Sequence, residues 1–220
     1  MKSRLITAAV ALPILIASVV VPALKLLFVA IAVAAVVIAL YEFWFLTKRV
    51  GARPDVVFGY AAAAALIVGF LFEAPFAEPR WLVFCVIALV AGSLIAEMLR
   101  GSPFDKMILS SGSTVLGVLY VVLLGGHLIA VRVGFPHAYE PAGGYWFSAA
   151  FVDRTLSTHL LGFFFLVLMC SDTGAYFAGR AFGKRKLAPK VSPGKTWEGA
   201  IGGMLASLVA AVVAHFWFFN

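Results

Sequence analysis

Seven long apolar runs alternate with short polar joins along this chain, at roughly 5–24, 26–46, 56–73, 80–99, 113–133, 158–179 and 197–219. A helix needs about 20 mostly apolar residues to cross the hydrocarbon core of a bilayer, so each run is predicted to be a membrane span. The joins carry the breakers and charges: Pro22 and Lys25; Lys48 to Pro54; Glu73 to Pro79; Arg100 to Lys106; Gly134 to Ser157; Gly183 to Gly194. The first join is short, which predicts a tight helical hairpin. The pattern leaves no room for a soluble domain. The expectation is an all-α, polytopic membrane helix bundle of about seven transmembrane helices, a single membrane domain over 1–220 with a basic loop at 180–196.

Composition agrees. The chain is 63% hydrophobic and 12% charged, where soluble domains carry roughly 45–50% apolar and about 25% charged residues. The formal charge of +7 is therefore read as membrane-surface charge, and no nucleic acid is expected as a partner. Lys and Arg favour the cytoplasmic side. With the N-terminus inside, Lys2, Arg4, Lys48, Arg49, Arg53, Arg100, Lys106, Arg180, Lys184, Arg185, Lys186, Lys190 and Lys195 fall inside. Only Lys25, Arg80, Arg132 and Arg154 fall outside. The start, Met-Lys-Ser-Arg before a long apolar run without a clear cleavage site, is read as a retained first span. Cys85 and Cys170 sit in apolar runs and imply packing. The four histidines lack metal-ligand spacing with one another. The outside segment 134–157 offers Tyr139, Tyr145 and Trp146 as interfacial anchors.

The chemistry gathers in SDTGAYFAGRAFGKRKLAPKVSPGKTWEG, residues 171–199. Acids near span ends are costly and often functional. Glu42 and Glu97 are expected to pair with nearby cations, Glu97 with Arg100. Asp172 sits among small and hydroxylic residues, free to bind a metal or orient a substrate group. Arg180, Lys184, Arg185, Lys186, Lys190 and Lys195 follow with no acid before Glu198. Ser192 suits a helix N-cap with Pro193 in the first turn, and Thr196 is the alternative cap. Either way a positive helix end, Gly194 and Lys195 make a ready anion site. Gly194-Lys195-Thr196 matches the end of a P-loop, but the glycine required five positions earlier is Pro189, and no strand is expected before it. Ser171, Ala175 and Gly179 share one face, as do Gly199 and Gly203, and close packing there is expected to bring Asp172 near the Ser-Pro-Gly-Lys-Thr segment.

This stretch resembles the phosphatidate cytidylyltransferase, or CDP-diacylglycerol synthase, family. The matching residues are Asp172-Thr173-Gly174-Ala175-Tyr176, then Gly183-Lys184 and Lys186-Leu187-Ala188-Pro189-Lys190-Val191-Ser192-Pro193-Gly194-Lys195-Thr196-Trp197-Glu198-Gly199. Thr173 stands where the family has serine. Arg4-Leu5-Ile6-Thr7 and Tyr41-Glu42-Phe43 also look like the family. The resemblance implies CTP and phosphatidic acid as substrates, CDP-diacylglycerol and pyrophosphate as products, and Mg²⁺ as cofactor. It implies the bacterial inner (cytoplasmic) membrane, with the active face cytoplasmic. Asp172 and Lys195 are the candidate catalytic residues, with Asp172 the metal ligand. Tyr176, Arg180, Lys186, Lys190, Ser192, Gly194, Lys195, Thr196 and Glu198 are the candidate substrate-binding set.

The family's further signature includes a His-Gly-Gly and closing Asp-Arg-x-Asp residues. It is not among these 220 residues. The resemblance therefore implies the N-terminal part of a synthase, with other metal ligands in the absent segment and a homodimer or a separate C-terminal part as partner. A CTP-dependent polyprenol or phytol kinase, a non-catalytic membrane subunit and a transporter for an anionic solute remain the alternatives.

Overall fold

The computed structural model describes residues 2–72, 80–101, 103–134 and 156–218. Tyr139, Tyr145 and Trp146 lie outside them. The chain folds as α1 (Lys2–Val20), a 3₁₀ turn (Pro22–Leu24), α2 (Lys25–Arg49), α3 (Val56–Phe72), α4 (Arg80–Leu99) and α5 (Phe104–Gly117). A π-helical turn (Val118–Leu123) then runs into α6 (Leu124–Gly134). After α7 (Leu156–Phe182) come β1 (Lys186–Ala188), β2 (Ser192–Thr196) and α8 (Trp197–Phe218). Among the described residues, five helical stretches are long and apolar enough to cross a membrane: Lys25–Arg49, Arg80–Leu99, Lys106–Val133, Leu156–Phe182 and Trp197–Phe218. Val56–Phe72 and Ala11–Val20 are apolar but shorter. The protein is an all-α membrane bundle carrying one small β-ribbon.

Its contacts divide it into two compact units, Met1–Ser157 and Thr158–Asn220. In the first, α3 packs on α4 and α6, α2 packs on α5 and α6, and α4 packs on α5. Leu40, Trp44, Leu66, Phe70, Leu89, Val118, Val122 and Ile129 form its core. The small residues Gly59 and Gly117 leave the slot that Trp44 fills; a Cβ at Gly117 would meet the Trp44 indole nitrogen at 2.6 Å. Gly51 and Gly101 take positive φ (90° and 64°) just past α2 and α4, where a left-handed residue ends a helix.

Polar groups fasten one end of this unit. Thr114 Oγ1 accepts the Asp55 N–H (2.8 Å) and Ser110 Oγ accepts the Arg53 N–H (3.1 Å). These bonds dock the α2–α3 connection on α5. Asp55 Oδ1 accepts the Phe58 N–H (3.1 Å) and so caps α3. Its Oδ2 accepts Arg100 Nη2 (2.6 Å), while Arg100 Nη1 donates to Glu97 (2.9 Å). The expected Glu97–Arg100 pair is therefore present. Glu42 is exposed and has no ion-pair partner among the described residues. The Glu97 hydrogen bond raises the Arg100 pKa above its ordinary value; burial opposes this and Asp55 adds to it, so Arg100 stays charged.

Arg100 is half exposed while Asp55 and Glu97 are nearly covered. Exposed pairs are worth under about 1 kcal/mol, and breaking buried ones costs about 3–5 kcal/mol. Arg100→Met is expected to fall between, at about 1–3 kcal/mol. Thermal unfolding of the purified chain measures it, and an unchanged midpoint would show that the clasp contributes nothing.

Arg132 is buried, donating to the Ser18 and Val21 carbonyls (3.1 and 3.3 Å) and to Ser157 Oγ (3.3 Å). It thereby satisfies the Ser18 carbonyl, whose helical donor would be Pro22 and has no N–H. It also adds a second donor to the Val21 carbonyl, which accepts the Leu24 N–H (3.0 Å).

Candidate functional site

The second unit is an antiparallel helix pair with a ribbon at one end. Three levels mark the pairing: Gly162 beside Phe218, Ser171 beside Gly203, and Gly179 beside Gly199. At Gly174 an added Cβ would meet Gly202 O at 2.9 Å, and at Gly203 it would meet Ala175 Cβ at 3.0 Å. The small-residue faces expected from the sequence do form the contact between α7 and α8. Without hydrophobic drive between helices in lipid, such close backbone packing is a main source of association.

Ser192–Thr196 is a strand, not the opening of a helix. The reading of Ser192 as N-cap and Pro193 as first-turn residue is corrected. Thr196 is the cap, its Oγ1 accepting the Gly199 N–H at 3.2 Å. The expectation of no strand before Gly194 is corrected as well, because Lys186–Ala188 pairs antiparallel with Ser192–Thr196. Local cap chemistry lost to the cross-strand ladder. Pro189, Lys190 and Val191 form the turn, closed by the Val191 N–H on the Ala188 carbonyl (3.2 Å).

The register is uneven. Lys186 faces Thr196 and Ala188 faces Ser192, so Leu187 stands opposite Pro193, Gly194 and Lys195. The longer strand must arch out there, as bulged strands do, and bulges re-aim side chains. All three arch residues are exposed, and an added Cβ at Gly194 would meet nothing within 4 Å. Thr196, by contrast, is buried. Added Cβ atoms at Gly179, Gly183 and Gly199 would stand 3.2, 3.0 and 3.1 Å from its Oγ1. The ribbon is thus rooted at Thr196 and open at Pro193–Lys195.

Glu198, in the first turn of α8, accepts the backbone N–H of Lys184 (3.1 Å) and of Arg185 (3.3 Å to each oxygen). The Trp197 N–H donates to the Arg185 carbonyl (3.0 Å). Sequence reasoning missed these backbone partners of Glu198, and no local signal announces them. Tyr176 and Arg180 share a face of α7, one turn apart, and Arg180 Nη1 donates to the Tyr176 hydroxyl (3.0 Å). Asp172 lies one turn further from the ribbon on the same exposed face.

Close packing does not bring Asp172 to the ribbon. The root of the ribbon is level with Gly179 and Gly183, and Asp172 is seven residues before Gly179. That is about 10 Å along the axis at the helical rise. Lys186, Lys190 and Lys195 are exposed, and Ser192 is half-buried. Among the described residues no three His, Cys, Asp or Glu side chains gather into a metal-binding group. Asp172 is one carboxylate, enough only for a cation that takes most of its ligands from phosphate oxygens and water, as Mg²⁺ does.

A helical membrane bundle that presents a cationic, arched ribbon defines a membrane protein suited to phosphate-bearing ligands. The chain belongs to the Cytidylyltransferase family, whose model matches residues 2–220. It is similar to the phosphatidate cytidylyltransferase of Haemophilus influenzae, 62% identical over 58 residues, or 26% of this chain and 20% of that one. The Bacillus subtilis protein of the same name is 35% identical over 112 residues, covering 50% of this chain and 42% of its own length. That of Pseudomonas aeruginosa is 74% identical over 34 residues, covering 16% and 12%. The matched stretches thus span less than half the length of these relatives. No solved structure matches the chain.

Proposed function

We propose that this chain takes part in CTP:phosphatidate cytidylyltransfer and holds the CTP phosphates at the arch of its ribbon. In that reaction a phosphatidate oxygen attacks the α-phosphorus of CTP. The bond to the bridging oxygen of the β-phosphate breaks, pyrophosphate leaves and CDP-diacylglycerol forms. The observation that carries the reading is the arch itself, where Pro193–Gly194–Lys195 stand exposed opposite Leu187 in a family member. Gly194 lets a phosphate reach the backbone and Lys195 supplies a point charge.

Ser192 offers a hydroxyl beside the arch, and Thr196 seats it. Lys186 and Lys190 add positive potential, and Arg180, held by Tyr176, takes a phosphate at the end of α7. Asp172 orients a substrate group or meets the cation. Mg²⁺, when bound with the triphosphate, would balance charge on the departing phosphates. The chain's own contribution is positioning and fixed positive charge.

The same reading sets about seven spans in a bacterial cytoplasmic membrane, with the N-terminus and the ribbon on the cytoplasmic side where CTP is found. The lipid substrate reaches the site from the bilayer. A second copy of the chain, or a separate protein part, is the partner.

Two substitutions test the arch. A hydrogen bond to a charged group is worth about 1.5–3 kcal/mol, so Lys195→Ala is expected to weaken CTP binding by roughly 10- to 100-fold. Gly194→Ala meets no atom within 4 Å and no positive φ. It is expected to leave unfolding within about 0.5 kcal/mol of the parent while lowering CTP affinity. Binding of labelled CTP to the chain in nanodiscs with Mg²⁺ reads both. Parental affinity in both variants removes the arch from the site. Incorporation of label into lipid in membranes containing phosphatidic acid tests the reaction.

A further inference from the structure

We propose that Glu198 is a positioning residue that holds the start of the basic segment from within, so that ligand phosphates are received at the arch and not at Lys184–Arg185. This rests on the reading of the ribbon as a CTP site. Two successive backbone N–H groups converging on one anion form a cradle that elsewhere binds phosphate. Here the cradle is made by Lys184 and Arg185, and the anion it holds is the Glu198 carboxylate, at 3.1 to 3.3 Å. A phosphate approaching those N–H groups would meet that negative charge.

Three consecutive residues of β2 and α8 fasten the segment. Thr196 pairs with Lys186 in the ladder, the Trp197 N–H takes the Arg185 carbonyl, and Glu198 takes the N–H groups. Arg185 is therefore held on both sides of its backbone. The point where β1 begins is set by a charge in the first turn of α8, and with it the register that forces Pro193–Gly194–Lys195 outward. Charge-assisted bonds of this kind are about twice as strong as neutral ones. An alanine cannot replace them, whereas a glutamine keeps one acceptor oxygen.

The test compares the full chain with Glu198→Ala and Glu198→Gln, reading amide hydrogen exchange across 183–187 and binding of labelled CTP in nanodiscs. Glu198→Ala is expected to speed exchange at Lys184 and Arg185 at least tenfold and to weaken CTP binding about tenfold. Glu198→Gln is expected to restore most of both. Parental exchange in Glu198→Ala overturns the clamp. Fast exchange with parental CTP affinity overturns its positioning role. Loss of CTP binding in Glu198→Gln with exchange still protected also overturns it, and makes the carboxylate a direct ligand contact. If Glu198→Ala does not fold, Glu198→Gln decides between these outcomes. If the parental chain binds no CTP, the reading of the ribbon fails, and exchange alone decides the clamp.

Discussion

Replacing Gly202 by leucine is expected to force α7 and α8 apart and to unseat the ribbon that both helices carry. Even the first carbon of a side chain at Gly202 overlaps Ala178 Cβ, and it would lie 3.1 Å from the Gly174 carbonyl oxygen. Ala178 has no rotamer to relax and the carbonyl is backbone, so relief requires the helices to separate or roll. Overpacking typically costs about 1–3 kcal/mol. Gly202→Ala is expected in that range and leucine at or above its top. The seat of Thr196 lies in the same interface, one turn along at Gly199 and Gly179. CTP binding should therefore fall together with the unfolding midpoint. The contrast is Gly194→Ala, a glycine-to-alanine change in the same stretch that adds no clash. A parental midpoint for Gly202→Leu would mean that the close approach of α7 and α8 is not what holds the second unit.

The largest loss in the first unit is expected from Trp44→Ala. The indole is fully covered, lies edge-on to Tyr60 with ring centres 5.1 Å apart, and donates to the Ser113 carbonyl at 3.3 Å. Gly59 and Gly117 border the indole and bring no side chain of their own to fill the vacated space. Removing such a residue typically costs about 3–5 kcal/mol. Trp44→Phe keeps much of the packing and loses the N–H bond, so it should cost about 1 kcal/mol from that bond plus a smaller packing loss. Denaturant titration in detergent micelles checks the order of the two variants. Equal stabilities would show that the slot closes around the smaller residue.

The helices were legible because apolar runs of spanning length end at Pro, Gly and charge. The reading of 80–99 coincides with α4, and 56–73 with α3 to within a residue. The start of α5 was not legible. The apolar pattern puts the join at Arg100 to Lys106 and the span from 113, whereas the helix begins at Phe104 and includes Ser110 and Ser111. In the folded chain Ser110 accepts a bond from the α2–α3 connection, and Ser111 bonds Ser93 at 2.8 Å. Buried hydroxyls are tolerated where such partners exist, and those partners come from other helices. Asp55 offered a local signal, an acid just before an apolar run, as a cap; its bond to Arg100, 45 residues away, offered none.

By itself the sequence determined a membrane bundle, the approximate place of its helices, the small-residue contact of α7 with α8, and the cationic stretch that the ribbon presents. Those properties follow from composition and from residue spacing within each segment. Tertiary structure alone decided that Ser192–Thr196 is a strand and not a helix start, that Asp172 stands about 10 Å along the axis from the level of the ribbon's root, and that Glu198 grips the backbone of Lys184 and Arg185. Each of these depends on which of several satisfactory local partners wins. That choice is made by the cross-strand ladder and by the depth at which two glycine-lined helices meet.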